Sequence, residues 1–115
     1  MAASSRRKGI KGEAEVAAIW RRAGFEVRGL EGLGDHLVIV KPRAIGGTPD
    51  APHLVADGFT IHSEVKRQER LQLPAWLRQA ASEAPSGAIP VVAFRQNRGE
   101  WYAALPLAAL VELAQ

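Results

Sequence analysis

The succession of helical and strand-like segments predicts one mixed α/β domain, a central β-sheet flanked by helices. Three observations carry that expectation. Residues 8–23 place Glu13, Val16, Ala17 and Trp20 on one helical face. Residues 59–66 alternate polar and apolar side chains as a half-buried strand does. Strand-like runs then recur on either side of a second helical segment near 74–83. Neither a helix bundle nor an all-β sandwich accommodates that order.

From the N-terminus, residues 1–7 include Arg6 and Arg7 and read as a flexible basic arm, which leaves 8–115 as the single folded domain. The helix over 8–23 ends at Gly24, a residue suited to a left-handed C-terminal cap. Strands are expected at 25–30 and at 36–41, the second rich in Val and Ile. Pro42, Gly46, Gly47, Pro49 and Pro52 make 42–52 a loop. A short strand at 54–56 and a turn at Asp57-Gly58 lead into the strand 59–66. Pro74 suits the first turn of a helix running to about Glu83. Residues 88–95 form a buried strand, Asn97-Arg98-Gly99 a turn, and 100–105 the second arm of a hairpin. Pro106 opens a last helix over 107–114.

A chain of 115 residues supports one core and no large closed substrate cavity. The lack of cysteine excludes disulfides, zinc–thiolate centres and thiol nucleophiles. No apolar run approaches the ~20 residues of a membrane-spanning helix. The basic N-terminus has no apolar stretch behind it. The expectation is a soluble, intracellular, cytoplasmic protein with no membrane partner. Net charge is only +3, yet the basic residues gather in Arg6, Arg7, Lys8 and Lys11, in Arg21, Arg22 and Arg28, in Lys66, Arg67 and Arg70, and in Arg95 with Arg98. Arginine-led clusters suit an anionic polymer; the same charges serve equally well as the surface of a basic soluble protein.

The chemistry centres on the strand 59–66. Thr60, His62, Glu64 and Lys66 share one of its faces, so a carboxylate and an ammonium point the same way, roughly 6.5–7 Å apart. Such a pair can hold a divalent cation and steady a phosphate or nucleophile, or form a salt-bridge pattern on a solvated sheet face. A catalytic magnesium needs further oxygen ligands. Glu13 stands on an otherwise apolar helix face, where a carboxylate is costly unless paired or metal-bound; pairing with Lys8 or Lys11 is the alternative. Glu15, with Ala18, Ile19 and Arg22, reads as a solvated salt-bridge residue. Asp50, Asp57, Asp35 and His53 are the remaining candidates ahead of the strand.

Pro49-Asp50 followed by Glu64-Val65-Lys66 resembles the PD-(D/E)xK nuclease motif, and Lys8-Gly9-Ile10-Lys11-Gly12-Glu13 resembles the K-G-x-x-x-E opening helix of archaeal and phage Holliday-junction resolvases. Glu64 to Leu73, the Trp76 helix with Gln79, Ile89 to Arg95 and Asn97 to Tyr102 are similar to small phage resolvase-type endonucleases, so the resemblance spans residues 5–113. It implies a restriction-endonuclease-like core and a catalytic set of Glu13, Asp50, Glu64 and Lys66. Asp50 and Glu64 would hold Mg2+, with Mn2+ able to substitute and Glu13 helping. Lys66 would position or activate the attacking water, and Gln79 could orient Lys66 or a phosphate. One departure is visible. Pro52-His53-Leu54-Val55 occupies the place where the family runs from Pro-Asp into an apolar strand, with histidine in the aspartate's position. Asp50 is preferred to His53 because magnesium favours oxygen donors; a His53 ligand would instead favour manganese.

The resemblance further implies cleavage of four-way DNA junctions by a homodimer, since a two-fold junction is cut on two strands. Trp76, Trp101, Tyr102, Leu107, Leu110, Val111 and Leu113 could furnish the apolar contact, or simply pack the core. Arg6, Arg7, Lys8, Lys11, Arg67 and Arg70 would meet DNA phosphates.

Overall fold

Eight elements follow one another in the computed structural model, which describes residues 2–28, 36–48, 50 and 52–115. They are α1 (Ala2–Arg22), β1 (Glu26–Arg28), β2 (His36–Gly47), β3 (Pro52–Arg67), α2 (Leu73–Glu83), β4 (Ile89–Arg95), β5 (Tyr102–Ala104) and α3 (Leu107–Ala114). The strands form one sheet in the order β1-β2-β3-β4-β5. Only β3 and β4 are parallel, joined through α2; the other neighbours are antiparallel.

Strand alternation divides the core in two. Leu37, Ile39, Ile61, Val65, Ile89, Val91 and Ala93 point to the face covered by α1 and α3, where they meet Val16, Ala17 and Ala109. On the opposite face Val92 packs with Trp76 and Ala80 of α2. Gly12 lets α1 lie close on β3: an added Cβ would stand 3.2 Å from the Trp101 ring and 3.5 Å from a Val65 methyl.

The expected helix ends hold. Gly24, at φ 93°, and Phe25 close α1 with N–H bonds to the carbonyls of Arg21 and Trp20, the paired bonds of a Schellman cap. Pro74 occupies the first turn of α2, where its missing N–H costs nothing. Two expectations are corrected. The helix expected from residue 8 begins at Ala2, so residues 2–7 are part of α1. The 42–52 loop is replaced by strand on both sides, with β2 running to Gly47 and β3 starting at Pro52. Pro42 lies beyond Val38 to Val40, the residues of β2 that pair with β1 among the described residues, a position near a sheet edge where proline is better tolerated.

The expected Asp57-Gly58 turn is a bulge within β3. Thr60 pairs with Val40 and Ala56 with Pro42, so residues 57–59 stand against Lys41 alone. The strands expected at 54–56 and 59–66 therefore join into one. Among the described residues no helix is long and apolar enough to cross a membrane.

Candidate metal centre

Glu64 lies at the heart of the sheet, between His36 of β2 and Val92 of β4 in the pairing register. Because Val65 faces α1, Glu64 and Lys66 face α2, as their alternation predicts. Glu64 is fully buried, at 0% exposure, and Lys66 is half-buried. Across the ladder from His62 stands Val38, and next to it His36, whose ring stacks on that of His62 with centroids 4.5 Å apart. Glu83, at the end of α2, brings a carboxylate oxygen to 4.0 Å from His36 Nδ1. One ligand atom from each of His36, His62, Glu64 and Glu83 lies within 4.8 Å of the others.

The electrostatics of this group suit a cation. His62 is 6% exposed, and among the described residues neither of its ring nitrogens has a hydrogen-bond partner. Burial, reinforced by His36 and opposed by the Glu83 charge, holds the His62 imidazole below its ordinary range, so it is neutral with a lone pair to offer near pH 7. A buried carboxylate is costly without compensating charge. Two carboxylates and two imidazoles converging in one place are a donor set that a divalent ion satisfies.

The structure sorts the other expected site residues differently. Glu13 is buried on α1, the helix that covers the face away from Glu64, so the sheet separates the two carboxylates. Asp50 is exposed and sits between Gly47 and Pro52 at the tip of the β2–β3 hairpin. Twelve positions of strand, roughly 40 Å if fully extended, separate Pro52 from Glu64, so this hairpin does not bring Asp50 to Glu64. His53 begins the same outer half, and Asp57 lies in the bulge; their side chains, like those of Arg6, Arg7 and Lys8 in α1, are outside the described residues. Asp35 is outside them altogether. Gln79 touches the cluster indirectly, its amide donating to Glu83 at 3.3 Å.

Among the basic residues, Lys11 and Arg70 are exposed. Arg67 is mostly covered and lies 3.9 Å from Glu15, which makes it a poor phosphate contact. Glu15 itself is no solvated helix residue. It accepts hydrogen bonds from Arg95 at 2.8 Å and from the Trp101 indole at 2.9 Å. Burial opposes ionisation of Glu15, but the bonds from Trp101 and Arg95 and the charges of Arg95 and Arg67 outweigh it and hold its carboxyl below the usual range.

His36, His62 and Glu83 are the functional candidates that sequence reasoning missed. His62 was visible on the Glu64 face. His36 would follow from pairing the segment 36–41 with 60–64 in antiparallel register, which sets it against Glu64.

A mixed five-stranded sheet with helices on both faces, bearing a buried glutamate and a lysine two residues further along a central strand, defines a restriction-endonuclease-like nuclease core. The chain belongs to the phage putative PDDEXK endonuclease family, whose sequence profile matches residues 4–115. It is a nuclease of the PD-(D/E)xK superfamily, a group that commonly works with divalent metals. No curated protein matches it.

Proposed function

We propose that this nuclease is a DNA endonuclease that resolves four-way junctions by paired hydrolysis of phosphodiesters, acting as a homodimer in recombination and repair in the cytoplasm of a phage host. The observation that carries the catalytic part is the Glu64–Lys66 pair on one face of β3, with Glu64 buried among His36, His62 and Glu83. Glu64 would hold the divalent cation, Mg2+ or Mn2+ being the ions that the resemblance implies. A divalent ion there supplies a Lewis acid for the phosphate and lowers the pKa of water. Lys66 directs its ammonium at the scissile phosphate and stabilises charge that develops in the transition state. Lys11 and Arg70 contact the DNA backbone.

Junction resolution requires two active sites in fixed relation. The exposed residues Leu107, Leu110 and Val111 of α3, 73%, 49% and 51% accessible, are the apolar surface offered to a second copy. Trp76 and Trp101 are not part of it, because they pack inside; Leu113 likewise rests on the core.

Asp50 enters this scheme through one comparison. Loss of cleavage in Asp50→Asn, with folding intact, gives Asp50 a part in DNA binding or catalysis. Retained cleavage leaves the ion to the residues that already surround Glu64.

The test of substrate is cleavage of a labelled four-way junction beside a linear duplex of the same sequence. Symmetric nicks confined to the junction support resolution. Equal cutting of both leaves a less selective endonuclease, of nicking or restriction type. Binding without cleavage in Mg2+ and Mn2+ makes the chain a DNA-binding protein.

A further inference from the structure

We propose that His36, His62, Glu64 and Glu83 form a mixed imidazole–carboxylate site that takes a first-row transition dication (Mn2+, Co2+ or Zn2+) in preference to Mg2+. The inference rests on the nuclease reading only for the use made of the ion; the site is argued from its own geometry.

Three elements contribute. The β2–β3 register sets His36 opposite Glu64, the alternation of β3 turns His62 to the same face, and the last turn of α2 adds Glu83. Their ligand atoms lie within 4.8 Å of one another. A tetrahedral ion bound at about 2.0–2.1 Å needs ligand separations of roughly 3.3 Å, which a shift of about 1 Å or less per donor provides. His62 is the decisive member: its imidazole is 6% exposed, and both nitrogens are buried without a hydrogen-bond partner among the described residues. A buried polar ring is normally hydrogen-bonded; an ion gives this one its missing partner. Imidazole also decides the class of ion. Magnesium prefers all-oxygen shells and keeps its waters, whereas Mn2+, Co2+ and Zn2+ accept nitrogen. Gln79, donating to Glu83 at 3.3 Å, orients that carboxylate from outside the ligand set.

The test is calorimetric titration of the full chain, without DNA, with Mg2+, Mn2+ and Co2+, accompanied by the visible absorption of the Co2+ form. Co2+ and Mn2+ are expected to bind at least about tenfold more tightly than Mg2+. Co2+ should show ligand-field bands of a nitrogen-containing site. His36→Gln and His62→Gln should each weaken Co2+ binding about tenfold or more and alter those bands, leaving Mg2+ affinity within about threefold. Circular dichroism reports whether each variant folds, and the more exposed His36 keeps the test open if the His62 variant does not. Equal affinity for Mg2+ and Co2+, or Co2+ bands untouched in a folded His36→Gln, overturns the site. Cleavage of DNA in Mg2+ without tight Co2+ binding overturns the site but leaves the nuclease. Tight, histidine-dependent Co2+ binding with no cleavage in any ion leaves the site and overturns the nuclease reading.

Discussion

Glu64 of β3 stands directly opposite His36 of β2, and the next pair along the same face, His62 with Val38, sets His62 diagonally across from His36, so that the two imidazoles stack with centroids 4.5 Å apart. This places the motif glutamate inside a group of potential ligands rather than on a solvated sheet face.

Substitution of the motif pair should separate chemistry from folding. Lys66 is half-buried on the same face as Glu64, and we expect Lys66→Ala to lower the rate of DNA cleavage by at least about 100-fold. Its circular dichroism and melting temperature should stay close to those of the unmodified chain. A parallel loss of fold would assign Lys66 a structural role.

The knot around Glu15 predicts acid sensitivity. Its carboxyl is held below the ordinary range in the folded protein, so its stabilising contribution is fully present above the ordinary carboxylate pKa. It is lost as pH falls through the lowered folded-state value. Glu15→Gln should cost about 1–2 kcal/mol at neutral pH, allowing for partial exposure. It should also flatten the acid limb of the stability curve. Denaturation followed by Trp fluorescence, to which Trp101 contributes, checks both.

Close packing of α1 on β3 depends on Gly12. Gly12→Val forces a branched side chain against Trp101, Val65 and Arg67, and a cost of about 2–3 kcal/mol is expected. Thermal or urea denaturation reads it. No change in stability would show that α1 shifts freely on the sheet.

Trp76 anchors the other face, 5% exposed against Ala80 and Val92. Trp76→Ala should destabilise the chain by about 3–5 kcal/mol. It should loosen α2 and weaken metal binding as well, because Glu83 lies on the same helix. Urea titration and calorimetry measure the two effects separately.

Much of this architecture was legible in the residues. The helices ending at Gly24 and opening at Pro74 and Pro106 follow from local backbone chemistry, and so does the face shared by His62, Glu64 and Lys66. What was hidden depends on register. Pro42, Gly46 and Gly47 read as a loop because their preferences are local, while strand pairing with residues 52–56 is a tertiary effect that overrides them. With that segment taken as loop, nothing aligned His36 with Glu64. Glu15 was misread for the same reason: its partners Arg95 and Trp101 are 80 and 86 residues away.

The most direct test of the central claim is metal-dependent cleavage of labelled DNA by Glu64→Gln beside the unmodified chain, with Mg2+ and Mn2+ each supplied and chelator as control. Glu64→Gln keeps the shape of a fully buried side chain and removes its charge. The account predicts cleavage by the unmodified chain that chelator abolishes, and none by the variant while its circular dichroism is unchanged. Full activity in a folded Glu64→Gln would contradict it.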